Sequence, residues 1–365
     1  MTNLNLQTII KFDFYEKSKV LQLKDGAFAL YSKGLLILFD NNLLSKRITF
    51  YDDNDDDYYY FQRDIKSVKQ LKNGKILCCN KHLFIINSDI KSQKDKLKKI
   101  RITNTKNNEK FLDVAELDNG TIIGITTESL YNIKIKDENS ELTQIHKIPE
   151  EWLVSWEEKY CYDGELNIYD LKNNKILLHS HSYYYSRRCL NCSAIIKKES
   201  KIFIVDLNNF EVVYTENFPN IANIVVLKDC ICVYHSNIIF IYSINDYKML
   251  QKIESELKLI NKYNDNIIIA INKIGVITLY NLSDLNTIKC QNFICKFFKR
   301  YFYRSDISIC KLDNRRIIIV AWDELFLVEL PDKFSFEPIS LIKKSNIETN
   351  VQNNKENKNK KKKYS

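Results

Sequence analysis

Residues 23–40 read LKDGAFALYSKGLLILFD, and two phrases inside this stretch decide the fold. The first is Leu23-Lys24-Asp25-Gly26, an apolar residue followed by residue types that tolerate a positive φ. That is the chemistry of a tight turn joining two antiparallel strands. The second is LLILFD (35–40), an apolar strand-like run ending in a polar residue. Working outward, the turn phrase returns as Leu71-Lys72-Asn73-Gly74 and Leu117-Asp118-Asn119-Gly120. It returns in weaker form as Leu227-Lys228-Asp229-Cys230, Tyr263-Asn264-Asp265-Asn266 and Leu312-Asp313-Asn314-Arg315. The strand phrase returns as HLFIIN (82–87), LYNIKI (130–135), ELNIYD (165–170), KIFIVD (201–206), IIFIYS (238–243), VITLYN (276–281) and LFLVEL (325–330). Counting LLILFD, there are eight copies, ending at intervals of 35–49 residues.

Between copies there is room for a further strand pair, such as EVVYTENF (211–218) and IANIVVL (221–227). Each unit therefore reads as four short strands. Self-similarity at this period marks a repeat architecture, and no sustained 3.6-residue periodicity supports a helical one. No linker rich in Pro, Gly or Ser divides the chain into two sandwiches. The expected fold is all-β: a single β-propeller of four-stranded antiparallel blades over residues 1–340, with eight units counted and seven the alternative. A lone blade cannot cover both faces of its sheet, so the ring has to close. The N-terminal strand TIIKFDF (8–14) is expected to complete the last blade.

The pairs Phe39-Asp40, Tyr169-Asp170, Val205-Asp206 and Tyr280-Asn281 stand where WD-repeat propellers carry a Trp-Asp pair. Over residues 8 to about 335 the chain resembles that family in a degenerate form. No unit has the family's Gly-His pair, the inter-strand aspartate is mostly absent, and Trp322-Asp323 falls in a different slot. The resemblance implies a ring whose loops display partner-binding residues, with one face used most.

The composition sets outer bounds. The chain has 365 residues, 45% of them hydrophobic and 28% charged, an ordinary globular balance. No apolar run approaches the roughly 18–20 residues of a membrane helix. The start, MTNLNLQTIIKFDF, does not read as a secretory signal. Ten scattered cysteines, several inside strand-like runs, fit a reducing intracellular compartment better than a disulfide framework. The formal charge of +9 is uneven. Residues 341–365 hold eight lysines and two glutamates, leaving only +3 on the other 340 residues. This Lys/Asn-rich basic tail has too few apolar groups to offset its ordering entropy and reads as disordered. The chain is expected in the cytoplasm, with Lys360–Lys363 a candidate nuclear-import run.

Motifs for catalysis are missing. Seven glycines over the whole chain form no phosphate-binding loop, and there is no Gly-x-Ser-x-Gly or His-Glu-x-x-His. No enzyme activity, cofactor or metal is expected. His179, His181, Cys189 and Cys192 have spacings that permit zinc, but a Cys-x-x-Cys without a second one is a weak signal. Cys230 and Cys232 read as core, and Cys78-Cys79 as pointing to opposite strand faces. The acidic run Asp52–Asp57 lacks the spaced ligands, Gly and Glu of a helix-flanked calcium loop and reads as a solvated loop.

One composition recurs. Tyr58, Tyr59, Tyr60 and Arg63 form a first aromatic segment, Tyr183, Tyr184, Tyr185, Arg187 and Arg188 a second, and Arg300, Tyr301, Tyr303 and Arg304 a third. Each is assigned to a loop leading from an outer strand to the next inner strand. The clusters start 125 and 118 residues apart, so all three are expected on one face. Tyr and Arg dominate binding hot spots, although strands also favour Tyr and Phe for packing alone. The expected function is a non-catalytic protein–protein interaction scaffold presenting this face to a peptide or domain partner. The alternative is a propeller binding RNA or single strands through the tail and the aromatic loops.

Overall fold

The computed structural model of the protein describes residues 2–4, 6–11, 18–32, 35–40, 42–43, 45–49, 65–79, 83–86, 99–102, 111–135, 140–152, 165–185, 195–219, 221–272, 274–294, 307–321 and 324–338. These residues form an all-β propeller of seven blades. Strands β1 (Thr2–Asn3) and β2 (Leu6–Lys11) open the chain. Blade 1 is β3 (Lys19–Gln22), β4 (Phe28–Ser32), β5 (Leu35–Phe39) and β6 (Ser45–Thr49). Blade 2 is β7 (Ser67–Gln70), β8 (Ile76–Cys79), β9 (Leu83–Ile86) and β10 (Lys99–Ile102). Blade 3 is β11 (Asp113–Glu116), β12 (Ile122–Ile125), β13 (Ser129–Ile135) and β14 (Ser140–Lys147). Blade 4 is β15 (Glu165–Leu171), β16 (Lys175–Tyr185), β17 (Ile195–Asp206) and β18 (Glu211–Phe218). Blade 5 is β19 (Ile221–Val226), β20 (Cys230–His235), β21 (Ile238–Ser243) and β22 (Met249–Glu254). Blade 6 is β23 (Leu257–Lys262), β24 (Ile267–Asn272), β25 (Val276–Asn281) and β26 (Lys289–Ile294). Blade 7 is β27 (Ile307–Lys311), β28 (Arg316–Ala321), β29 (Glu324–Glu329) and, from the other end of the chain, β2.

The count of eight is corrected to seven. Seven copies of the strand phrase fall on third strands, whereas ELNIYD is the first strand of the blade whose third strand carries KIFIVD. Blade 4 has unusually long inner strands, 11 residues in β16 and 12 in β17. That length separates its first and third strands enough to mimic an extra unit. The Tyr169-Asp170 pair accordingly leaves the slot shared by the other three pairs. Asp40 directly follows a third strand and Asp206 and Asn281 end theirs, and their side-chain oxygens accept N–H bonds two residues on, from Asn42 (2.9 Å), Asn208 (2.9 Å) and Ser283 (3.0 Å). They shape the turn into the fourth strand, as Asx turns do.

At six of the seven seams the first strands of neighbouring blades pack against each other around the ring. The core lies in the seams between blades. Seven apolar clusters occur, one per seam, including Leu30, Phe28 and Phe39 of blade 1 against Ile318, Val320 and Leu325 of blade 7. β2 runs antiparallel to β29, with Leu6 opposite Val328 and Lys11 opposite Glu324. β1 lies parallel to β26, and β30 (Glu337–Pro338) lies antiparallel to the same strand.

In every blade the strand direction alternates. Turns after first and third strands therefore share one side of the ring, the turn face. Connections after second and fourth strands share the other, the loop face. The turn phrase, complete in blades 1 to 3 and in weaker forms elsewhere, makes the first turn of each blade. Its leucine is buried and its N–H donates across the turn, as from Leu71 to Lys75 O and from Leu117 to Thr121 O, both at 2.8 Å. Gly74 and Gly120 take φ of +87° and +83°, which a side chain would resist. Among the described residues no helix is long and apolar enough to cross a membrane.

Candidate functional site

The predicted aromatic segments fall mostly outside the described residues. Tyr58, Tyr59, Tyr60 and Arg63 do so between β6 and β7, Arg187 and Arg188 between β16 and β17, and Arg300, Tyr301, Tyr303 and Arg304 between β26 and β27. Tyr183, Tyr184 and Tyr185 are the last three residues of β16, with Tyr183 opposite Lys198 and Tyr184 opposite Lys197. This corrects their slot, because they end a second strand rather than leading from an outer strand to the next blade. β15 and β18 pair with this hairpin only as far as His181 and Ser200. Ser182–Tyr185 and the facing end of β17 therefore extend past the sheet as a two-stranded ribbon.

The described strand ends beside the three segments are those of β6, β16 and β26. Two are fourth strands and one is a second strand, so all three ends point to the loop face. Ile274, at the turn between β24 and β25, is on the same face and is 60% exposed. The sequence reading missed it. An isolated Ile beside Gly275 resembles any hairpin tip, and only the alternation of strands assigns its side.

The zinc constellation is only partly within view. His179 and His181 lie on β16 with ring centroids 4.9 Å apart, while Cys189, Cys192 and the Asp52–Asp57 run are outside the described residues. Among the described residues no three His, Cys, Asp or Glu side chains are grouped to hold a metal. Trp322-Asp323, before β29, is likewise outside them.

On the turn face, a cavity of about 640 Å³ opens within the ring against blades 2 to 6. Five lysines (Lys69, Lys72, Lys172, Lys228 and Lys262) meet four acids (Glu116, Asp118, Asp170 and Asp265) on its wall. Local spacing contributes to this crowding, since in blades 2 to 5 the residue after the turn leucine (Lys72, Asp118, Lys172 and Lys228) sits at the mouth. Lys262 Nζ is 2.7 Å from Asp265 Oδ1 and, aided by Lys228 and Lys172, holds that carboxyl below its ordinary range. Lys69 Nζ stands 3.9 Å from Asp113 Oδ1 and 5.9 Å from the centre of the Tyr169 ring. Buried Asp113 accepts N–H bonds from Val114 (2.8 Å) and, across the seam, from Ile168 (3.0 Å). Asp170 differs: burial, and then the neighbouring Asp118, push its carboxyl up to about 6. Lys72 and Lys172 donate to backbone carbonyls of the next blade, so part of this charge holds blade to blade.

No protein-family model matches the chain, and no curated protein does. Solved structures share the fold. The WD40 domain of Neurospora crassa Pan2 superposes with a TM-score of 0.60 at 9% identity, covering 92% of this chain and 98% of that one. Virginiamycin B lyase from Staphylococcus aureus gives 0.55 at 11% identity, covering 90% and 100%. A chain of a mitotic checkpoint complex gives 0.55 at 11% identity, covering 90% and 95%. One of these is named as a lyase, so the shared architecture does not choose between binding and catalysis.

Proposed function

We propose that this protein is a degenerate WD-repeat-type propeller acting as a non-catalytic interaction scaffold, with the loop face as its docking side for a peptide or domain of a protein partner. The carrying observation is convergence. Three sequence segments rich in Tyr and Arg adjoin strand ends that all point to one face, and an exposed Ile274 stands on that face. Closed blades supply rigidity, so anchors are presented at fixed angles with little ordering cost. Aromatic side chains and arginines bring contact area and polar handles to such a surface. Two structural neighbours come from assemblies, the mitotic checkpoint complex and Drosophila Plexin A in complex with Semaphorin 1b, which fits a scaffold.

Nucleic acid is the second reading, favoured by the net +6 of residues 341–365 and by the alternation of aromatics with arginines. The acidic run Asp52–Asp57 beside Tyr58 argues for a protein. The working location is the cytoplasm, with nuclear entry through Lys360–Lys363.

The test is quantitative affinity purification with wild type, the triple variant Tyr58→Ala/Tyr184→Ala/Tyr301→Ala, and a chain lacking residues 341–365. The triple variant should keep its circular dichroism and unfolding midpoint while losing at least about tenfold of a specific partner, the scale of one hot-spot residue. Unchanged capture sinks the reading, and loss of folding assigns the tyrosines to packing. A nuclease-sensitive, steeply salt-dependent capture that vanishes with the tail supports the nucleic-acid reading instead.

A further inference from the structure

The fourth strand of each blade is its outer edge, and an outer edge offers unpaired backbone groups unless something blunts it. In blades 3, 4, 5 and 7 a bulge does so. One extra residue interrupts the outer strand's register at Ile145, Val213, Leu250 and Ile9 respectively. The outer strands of blades 1 and 2 keep their register but are short and doubly basic, reading SKRIT and KIRI. Blade 6 uses neither device. Its β26 reads KCQNFI and pairs with β25 over six residues without a shift.

That edge is covered instead. Among the described residues, β26 alone carries further strands on its outer side. β1 takes one end, where the Leu4 N–H donates to Ile294 O at 3.1 Å. The other end is held by residues 331–338, PDKFSFEP, which follow β29. Blade 7 draws its fourth strand from β2, so the chain beyond β29 is free to cross back to blade 6 as a strap. At its root, Arg315 Nε meets Asp332 Oδ1 at 2.8 Å. The Phe334 ring stands edge-on to Tyr263 and Phe293, with centroids 6.0 Å and 6.5 Å away, and to Phe336 at 5.8 Å. The Ser335 N–H donates to Gln291 Oε1 at 2.8 Å. Glu337 and Pro338 then lie opposite Cys290 and Lys289.

An extended peptide binds a sheet edge in this manner: backbone pairing aligns it, and alternate side chains find their own contacts. The hold is slight. The ladder is two residues long, both phenylalanines are only partly buried, and the ion pair is mostly exposed and so adds little. Beneath the strap, the cluster between blades 6 and 7 is built by those blades themselves, with Phe293 fully buried. A segment attached so weakly to a seam so well packed lifts before the ring opens.

We propose that the outer edge of blade 6 is a peptide-binding edge for an extended segment with two aromatic residues one apart and an acid after them, and that residues 331–338 are its exchangeable occupant in cis. A partner presenting that Phe-x-Phe-Glu chemistry displaces the strap, pairs with β26 and sets its aromatic residues against Tyr263 and Phe293. This edge lies on the outer rim, apart from the loop face.

The experiment uses the full chain, as wild type and as Phe334→Ala/Phe336→Ala. The probe is a fluorescently labelled peptide of residues 331–338, followed by anisotropy, with the same peptide carrying alanine at both phenylalanines as control. The variant should bind the probe at least about tenfold more tightly than wild type, because the cis strap competes at an effective concentration in the millimolar range. The control peptide should not bind, and the probe should slow amide exchange in residues 289–292. In wild type alone, the amides of residues 335–338 should exchange at lower urea than those of β23, β24 and β25. Equal affinity for wild type and variant overturns the proposal, as does a folded variant that takes no probe. Strap amides that open only together with blade 6 overturn it too. So does a variant that loses its circular dichroism, since a strap the ring cannot release is not exchangeable.

Discussion

Gly124 on β12 has no space for a side chain, since a Cβ there would lie 2.5 Å from Phe111 Cε1 and 2.8 Å from Ile133 Cδ1. Both neighbours belong to the apolar cluster between blades 2 and 3, so neither can retreat without displacing others. Gly124→Ala should lower the unfolding free energy by about 1–3 kcal/mol, the usual cost of overpacking, as read by urea titration. Tyr234 makes the complementary point. Its hydroxyl donates to Leu257 O at 2.6 Å and accepts the Leu257 N–H at 2.9 Å, fastening blade 5 to the first residue of blade 6. Tyr234→Phe keeps the ring but strands two buried backbone groups. It should cost about 1–3 kcal/mol, with the loss appearing in the urea midpoint while far-UV circular dichroism is unchanged. Nothing in the sequence singles out Gly124 or Tyr234, because their roles depend on neighbours 13 and 23 residues away.

At the level of elements, the turn phrase was the most legible feature. Its Asp, Asn and Gly act within a few residues, as when Asn119 Oδ1 accepts the Thr121 N–H at 2.9 Å. The phrase also has a seventh copy, Leu171-Lys172-Asn173-Asn174, between β15 and β16, where Asn173 and Asn174 take φ of +63° and +58°. Asparagine enters that region more readily than most residues, so this turn forms without glycine. Counting turns with this copy included yields one per blade, whereas counting apolar strands yields eight. Strand alternation was equally readable. Cys78 packs with the cluster between blades 1 and 2 and Cys79 with that between blades 2 and 3, on opposite faces of β8. Cys230 and Cys232 share one cluster. The aromatic segments were legible as composition only. Their common side follows from strand direction, and one of the three belongs to a different connection from the one expected.

At the level of the whole molecule, closure depends on the two ends of the chain. β2 is the fourth strand of blade 7, and the cluster between blades 7 and 1 completes the circle. Removing residues 1–11 should leave β29 with an unpaired edge and lower stability by on the order of 3 kcal/mol, comparable to exposing one or two large apolar side chains. Limited proteolysis should then cut between residues 307 and 329, and an unchanged digestion pattern would argue against this role. The seven seams also explain why the ring tolerates so degenerate a sequence. Each seam needs apolar side chains of suitable volume on two facing sheets, which many sequences satisfy.

Local sequence was enough to specify strands, turns and an all-β repeat architecture, because φ preference and two-residue alternation are properties of adjacent residues. It could not rank ELNIYD as first or third strand, since both positions are apolar and alternating and only the hydrogen-bonded neighbour distinguishes them. Blade number and the side on which each segment emerges were decided by how the sheets pack around the ring. Those outcomes join residues far apart in the chain, such as Leu6 and Val328 in the closing blade, where no short-range preference acts.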